Sequence, residues 1–457
     1  MAINFNGLAT GIDTASLIQG LMEAERQPLE TLQLDRDYQS ARLEAYKTLG
    51  SALDDLLVKA GKLADTDTLQ GRKTATTGES LVTVSNTAAT AMEGSYQIKG
   101  YSFAQAQKSV SNGFADQAAN SFGTGTLTVT VGGTSHDITI DSGNNSLEGI
   151  AAAINEANIG VRAAIINDGT TSPYRLVVSG TTAGDPADVG FSFDFSGLSG
   201  GTYANPVMTE TQAASQAHIQ VDGIDIYSDS NVFTDAIPGV TFTLDQADNG
   251  ATTSTLSVTL DTDGAKQKIK DFVSSYNKIM TFVSSQSAGE GKSAGLLAGD
   301  AGMNSIKRRL QNLLTSVVNT GGTYQSLADL GLETQRDGTL EINDSQLSNA
   351  LTTDIDSVTS LLAGNGTVEG IAQIFETALE GMTDSSNGFL ASKEASINSN
   401  IERIDNSIER MQERLDKREQ LLYDQFNAME ELVSALNAQG DYLTQQMNML
   451  QNMGSKK

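Results

Sequence analysis

The stretch LDKREQLLYDQFNAMEELVSAL, residues 415–436, sets Leu415, Leu422, Met429 and Leu436 seven positions apart. Followed in both directions, the register reads Ile401, Ile408, Leu415, Leu422, Met429, Leu436, Leu443 and Leu450. An apolar residue at every seventh position over this length is a coiled-coil signal. A second seam through Ile397, Ile404 and Met411 fails at Arg418 and Gln425, then resumes one position later as Phe426, Val433 and Met447. The slip inserts an eleven-residue step between Met411 and Leu422, which unwinds a supercoil. A joint between two helical segments is therefore expected near residues 415–426. Drawn out straight, residues 397–450 would make a rod of roughly 80 Å.

The other end of the chain carries material to match. Asp13 or Thr14 is placed to cap a helix bearing Leu17, Ile18, Leu21 and Met22. Pro28 is expected to break or kink it, since proline lacks the amide hydrogen and fits a first turn. The restarted helix shows Tyr46, Leu49, Leu53, Leu56, Ala60 and Leu63 in three-four spacing. The stripe from Leu415 onward is expected to pack on this segment near Tyr46 to Leu63, and on neighbouring copies of the chain.

Between the ends the pattern changes to strands. TLTVTVGGTSHDITI (126–140) alternates around Gly132-Gly133, and HIQVDGIDIY (218–227) around Asp222-Gly223; both read as hairpins. In the second, Ile219, Val221, Ile224 and Ile226 share one face. NSLEGIAAAINEANIG (145–160) is a short helix capped by Ser146 and ended by Gly160. Beyond residue 264, Ile269, Phe272, Val273, Tyr276, Met280 and Val283 form one helical stripe. A further helix from about Asp300 carries Ile306, Leu310, Leu313 and Val317, and a small hairpin turns at Asp337-Gly338. The fold class expected is multidomain α+β: a helical stalk built from both termini, with β-rich domains inserted between them. The expected division is 1–42 (N-terminal leg), 43–70 (stalk helix), 71–108 with 215–264 (β-rich head), 109–214 (inserted outer head), 265–415 (helical stalk with a small hairpin) and 416–457 (C-terminal leg).

The chain of 457 residues has no cysteine and no tryptophan, five prolines, and a formal charge of −27. Between Lys108 and Lys266 the only basic residues are Arg162 and Arg175, against 18 Asp and Glu. Such a surface repels phosphate backbones and anionic membranes, so neither nucleic acid nor membrane is an expected partner. The first 25 residues lack a basic residue and a continuous apolar core, so no cleavable secretory signal is expected. No run approaches the length of a membrane span.

Chemical motifs fail on inspection. GEGKSAG (289–295) has Gln286 where a phosphate-binding loop needs glycine. DTDG (261–264) and DQADNG (245–250) lack the closing glutamate of a calcium loop and read as acidic turns. His136 pairs across from Val129 and His218 from Tyr227, with no carboxylate or second histidine at useful spacing. No catalytic group, cofactor or metal is expected, and the chain is read as a non-enzyme.

Several blocks resemble one family. NGLATGIDTASLIQGLMEAERQPLETL (6–32), HIQVDGIDIYSDSNVFTDAIPGVTFTL (218–244), SLADLGLETQRDGTLEIND (326–344) and QFNAMEELVSALNAQGDYLTQQM (425–447) are similar to flagellar hook-associated protein 2, the flagellar filament cap. SLEGIAAAINEANIGVRAAI (146–165) resembles a repeat found in flagellins and caps alike. The resemblance implies passage through the flagellar type III export apparatus with an export chaperone, and a homo-oligomeric ring at the distal filament tip, with five copies as the working number. It implies flagellin as partner, held back from leakage and guided into the filament. The surface expected to join copies comprises Ile401, Ile408, Leu415, Leu422, Phe426, Met429, Val433, Leu436, Leu443 and Leu450 with Leu17, Leu21, Leu49, Leu53 and Leu56. The rival readings are an extracellular adhesin binding glycan or mucin through the acidic head, and another axial protein such as a hook–filament junction subunit or flagellin.

Overall fold

The structure, a computed structural model, describes residues 11, 13–287, 289 and 295–454, with side chains as far as Met449. In chain order, helix α1 (Thr14–Ala64) and the single turn α2 (Thr66–Leu69) lead into strands β1 (Arg72–Gly78), β2 (Val82–Thr87), β3 (Gly94–Ser102) and β4 (Lys108–Ser111). Next come β5 (Thr124–Val131), β6 (Thr134–Ile140), α3 (Leu147–Ala157), β7 (Val161–Asn167), β8 (Tyr174–Gly180), α4 (Pro186–Val189), β9 (Phe191–Asp194), β10 (Leu198–Ser199) and β11 (Met208–Gln212). The strand-rich part closes with β12 (Ala217–Val221), β13 (Ile224–Ser228), β14 (Val232–Ile237), β15 (Val240–Leu244) and β16 (Ser254–Leu260). Helices α5 (Thr262–Ser287) and α6 (Ala301–Leu314), strands β17 (Leu332–Thr334) and β18 (Leu340–Ile342), then α7 (Asp344–Thr353), α8 (Ile355–Ala363), α9 (Ile371–Thr383) and α10 (Phe389–Gly454) complete the chain.

Two compact units result, residues 66–265 and residues 1–65 with 266–457. The first holds two β cores. In one, the antiparallel sheet β1-β16-β3-β12-β13 faces the sheet β14-β15-β2, and Leu81, Ile98, Ile219, Phe233, Phe242 and Leu256 are buried between them. In the other, the sheet of β10, β5, β6 and β9 and the sheet β11-β4-β8-β7 enclose Phe122, Leu127, Val129 and Leu176 together with Ile150 and Ile154 of α3. The hairpins fall where their turns dictate: Val129 pairs with His136, His218 with Tyr227 and Thr334 with Leu340. Helix α3 is capped by the Ser146 hydroxyl, which accepts from the Gly149 amide at 3.0 Å. It stops earlier than expected, because Asn158 takes the left-handed conformation (φ 49°) before Gly160 is reached.

In the helical unit, Leu49, Leu53, Leu56 and Leu63 of α1 are buried, as are Ile269, Phe272, Tyr276, Met280 and Val283 of α5. The Phe272 and Phe375 rings meet edge to face at 5.2 Å. Helix α6 ends at Leu314, so Val317 falls outside it and is exposed; Met303, Ile306, Leu310 and Leu314 form its buried stripe instead.

Two expectations about the long helices are overturned. Pro28 lies inside an unbroken 51-residue α1. The missing amide bond is outweighed by the apolar face that α1 lays against α10 on both sides of the proline. No joint separates residues 415–426 either, since α10 is a single 66-residue helix. The slip appears as a drift of the buried seam around an intact helix: Leu390, Ile397 and Ile404 are buried, and the next fully buried positions are Leu415 and Leu422. The step from Ile404 to Leu415 is eleven residues, close to three full helical turns, so the helix continues with its supercoil relaxed.

Candidate assembly surface

Where α10 meets the start of α1, Ile18 and Met22 bury Leu415 and Leu422, with Leu29, Met411, Tyr423 and Phe426 packed around them. The stripe thus rests on the first turns of α1. Tyr46 to Leu63, expected to cover it, serve the core of the helical unit, because the two helices run antiparallel and the end of one meets the beginning of the other. Asp13 begins α1, its carboxylate accepting from the Ser16 amide at 3.1 Å. Across the pair, Arg418 bonds Glu25 at 3.1 Å, Arg26 lies 3.8 Å from Glu419, and Arg36 bonds Asp405 at 2.8 Å. All six side chains are substantially exposed, so these ion pairs add a few tenths of a kcal/mol each and serve chiefly to fix the antiparallel register.

Past this cluster the partner helix ends and the seam opens to solvent. Met429 and Val433 are half-buried, while Leu432, Leu436, Tyr442, Leu443, Met447 and Met449 are all exposed, Leu443 by 63%. No described residue covers them. From Glu430 to Met449 this amounts to about 30 Å of helix carrying bare leucine and methionine. Of the other residues expected on this surface, Ile401, Ile408 and Phe426 are half-buried, Leu17 and Leu21 are exposed, and Leu49, Leu53 and Leu56 are wholly buried within the chain. The side chain of Leu450 lies outside the described residues. Heptad spacing alone missed Leu432, Tyr442 and Met449, which sit off the main register but share its exposure.

Two polar centres were not legible in spacing. Asp300 caps α6, accepting from the Gly302 and Met303 amides at 2.8 and 3.2 Å, from the Tyr46 hydroxyl at 2.6 Å and from Arg42 at 3.0 Å. Burial alone would raise its pKa. The Tyr46 hydroxyl, the α6 amides and the Lys393 charge outweigh that and hold it below the ordinary value. On the solvent face of the five-stranded sheet the His218 ring is stacked between Tyr101 and Tyr227, at 4.4 Å from each. Its Nε2 lies 3.0 Å from Asp225 Oδ1, which also accepts from Gln220. The expectation that His218 has no carboxylate within reach is therefore wrong: the two-residue turn sets Asp225 on the neighbouring strand, two residues from His218's own partner Tyr227 and diagonally across from His218 on the same face. Of the acidic stretches read as turns, 245–250 is one, Asp248 accepting from the Ala251 and Thr252 amides. The other, 261–264, is instead the start of α5, where Asp261 accepts from the Gly264 amide and caps the helix. Most of GEGKSAG lies outside the described residues. Among the described residues no group of three His, Asp or Glu is placed to hold a metal, and no helix is long and apolar enough to cross a membrane.

Comparison with known proteins agrees with this architecture. Family models described as the flagellar hook-associated protein 2 N-terminus and C-terminus match residues 10–107 and 214–438, and the flagellin hook IN motif matches residues 126–182. Flagellar hook-associated protein 2 of Escherichia coli is 30% identical over 471 residues, covering 97% of this chain and 98% of that protein. The B-type flagellar hook-associated protein 2 of Pseudomonas aeruginosa is 29% identical over 442 residues, 92% of each chain. A crystal structure of three domains of the Escherichia coli flagellar cap protein aligns with a TM-score of 0.63 at 29% identity, covering 78% of this chain and 99% of that one. Each of these likenesses is to a protein of the bacterial flagellum. The chain belongs to the flagellar hook-associated protein 2 family, the structural proteins that cap the flagellar filament. The readings as adhesin, junction subunit or flagellin find no support in them.

Proposed function

We propose that several copies of this chain form a ring on the distal tip of the flagellar filament, outside the cell. There it retains exported flagellin and guides each subunit into the lattice. The observation that carries this reading is the bare seam of α10 beyond Glu430, with Leu436 and Leu443 more than half exposed. A monomer has no use for such a surface, whereas copies brought side by side cover one another's seams and those of the filament end. Residues 1–42 and 416–457 are the legs in this scheme, residues 71–264 the heads, and five copies the working number. The work is done by binding alone, without covalent chemistry, and the free energy of growth comes from flagellin folding and packing. Delivery is by the type III export apparatus, with a chaperone covering the same apolar seam before export.

The test is deletion of the gene in its host. Cells are expected to shed soluble flagellin into the medium and to grow short filaments or none. A plasmid copy lacking residues 431–457 should fail to restore growth where the full chain succeeds. Normal filaments in the deletion strain would refute the proposal.

A further inference from the structure

The five-stranded sheet ends on β13 at one side and on β1 at the other. Strand β13, IDIYS, contains no lysine or proline to blunt its edge, and Ile224 and Tyr227 are 68% and 59% exposed. Asp222 and Gly223 both have positive φ, so the turn before β13 is the two-residue hairpin kind and Val221 and Ile224 form its first hydrogen-bonded pair. Hydrogen-bonded and open pairs alternate along an antiparallel ladder. The backbone N–H and C=O of Asp225 and Tyr227 consequently point outward from the sheet. At the opposite edge, the Asp261 amide bonds the Gly71 carbonyl at 2.8 Å, and the same alternation turns the backbone groups of Arg72, Thr74 and Thr76 outward.

We infer that β13 of one copy pairs in parallel with β1 of the next, carrying the sheet across the boundary between subunits. Parity selects this direction. Ile224 and Ile226 lie on the core face of the sheet with Ile219 and Val221, and Asp225 and Tyr227 on the solvent face. On β1, Thr74 and Thr76 sit opposite Val258 and Leu256 on the core face, which leaves Lys73 and Ala75 on the solvent face. An antiparallel pair would set outward-pointing Asp225 against outward-pointing Thr74 and turn the second sheet over. A parallel pair sets Asp225 against the residue between two outward ones, so the faces agree. The two strands also run the same way within one sheet, four antiparallel steps apart, so a neighbour in the same orientation presents β1 correctly.

Charge sets the register and the occupant. Residues 72–78 contain Arg72 and Lys73 and no acid, while β13 carries Asp225 with Asp222 and Asp229 beside it. Both bonds to the Asp225 carboxylate fall on Oδ1 and its side chain is 51% exposed, while Lys73, held at 2.7 Å by Asp263, is still 46% exposed. With Asp225 opposite Lys73, its N–H meets the Arg72 carbonyl and its C=O the Thr74 amide, and Tyr227 repeats the pattern with Thr74 and Thr76. Pairing β13 with β13 across a two-fold would instead crowd the acidic groups together. Joining unlike edges head to tail is the kind of contact that generates rings.

The inference rests on the reading of the chain as a homo-oligomer and names a contact separate from the α10 seam. The chain has no cysteine, so single thiols can be placed at will. Full-length Asp225→Cys and Lys73→Cys proteins, mixed and treated with a short thiol-to-thiol cross-linker, should give covalent dimers that neither protein gives alone. Dimers from Asp225→Cys alone, or none from the mixture, would overturn the inference. Light scattering on the unmodified chain separates the causes: a monomer sinks the ring reading too, whereas an oligomer without the cross-link sinks this contact alone. As a second measure, Asp225→Lys should raise the concentration for half-assembly about fivefold with the circular dichroism unchanged. No change in that concentration counts against the contact.

Discussion

Replacing Leu422 by alanine tests whether the terminal helices are held together only locally. Leu422 is 6% exposed and, with Leu415, Ile18 and Met22, makes a cluster of four buried side chains at the end of the helix pair. Truncating a buried leucine costs about 2 to 5 kcal/mol, and the lower figure applies here because the two-helix site has little enclosing structure and collapses readily. A loss of about 2 kcal/mol raises the opening constant roughly 30-fold. The opening should be confined to residues 14–30 and 411–430, since the core of the helical unit lies at the far end of α1, around Leu49 to Leu63. Amide hydrogen exchange read by mass spectrometry on the full chain measures this directly. Peptides covering Ile18 to Leu29 should exchange about 30 times faster, while those covering α5 and α9 keep their rates. Equal acceleration throughout the helical unit would mean that the pair does not open on its own and would refute the reasoning.

Leu436→Ser with Leu443→Ser should leave the melting temperature of the isolated chain within about a degree, because both residues are already exposed, yet reduce oligomer mass in light scattering. Gly440 lies inside α10 where an added Cβ meets nothing within 4 Å, so Gly440→Ala should stabilise the helix by about 1 kcal/mol, seen as slower exchange in residues 436–446. Asp300 has its folded pKa lowered from 3.8, so its contribution to stability is present above that value and is lost as pH falls through the lowered one. Asp300→Asn should therefore cost about 2 kcal/mol at neutral pH and flatten the acid limb of the unfolding curve; an unchanged acid limb would count against the assignment.

How far the sequence could be read depended on how local the deciding physics was. The hairpins at Gly132-Gly133 and Asp222-Gly223 were legible because a two-residue turn fixes its own register. Pro28 misled, since its cost is local and the packing that overrides it comes from residues almost four hundred positions away. The drift of the α10 seam was visible as a slip at Arg418, but whether a helix breaks or merely rotates its buried face depends on what its partner offers. The Asp300 centre joins residues more than 250 apart, and no spacing rule reaches that far. The bare seam past Glu430 was foreseen as apolar; its exposure follows from where α1 begins.

The strand-rich unit is entered at Arg72 and left at Leu260, and these residues face each other as a pair in the ladder of β1 and β16. Its second core is likewise entered and left beside the bridge of Gln105 with Ser215. Whatever loops out beyond either gate returns to its point of departure, so the remainder of the chain receives the same two ends regardless of what lies between. A segment inserted beyond either gate can therefore be lengthened or shortened without changing the spacing of the two ends that the rest of the fold receives.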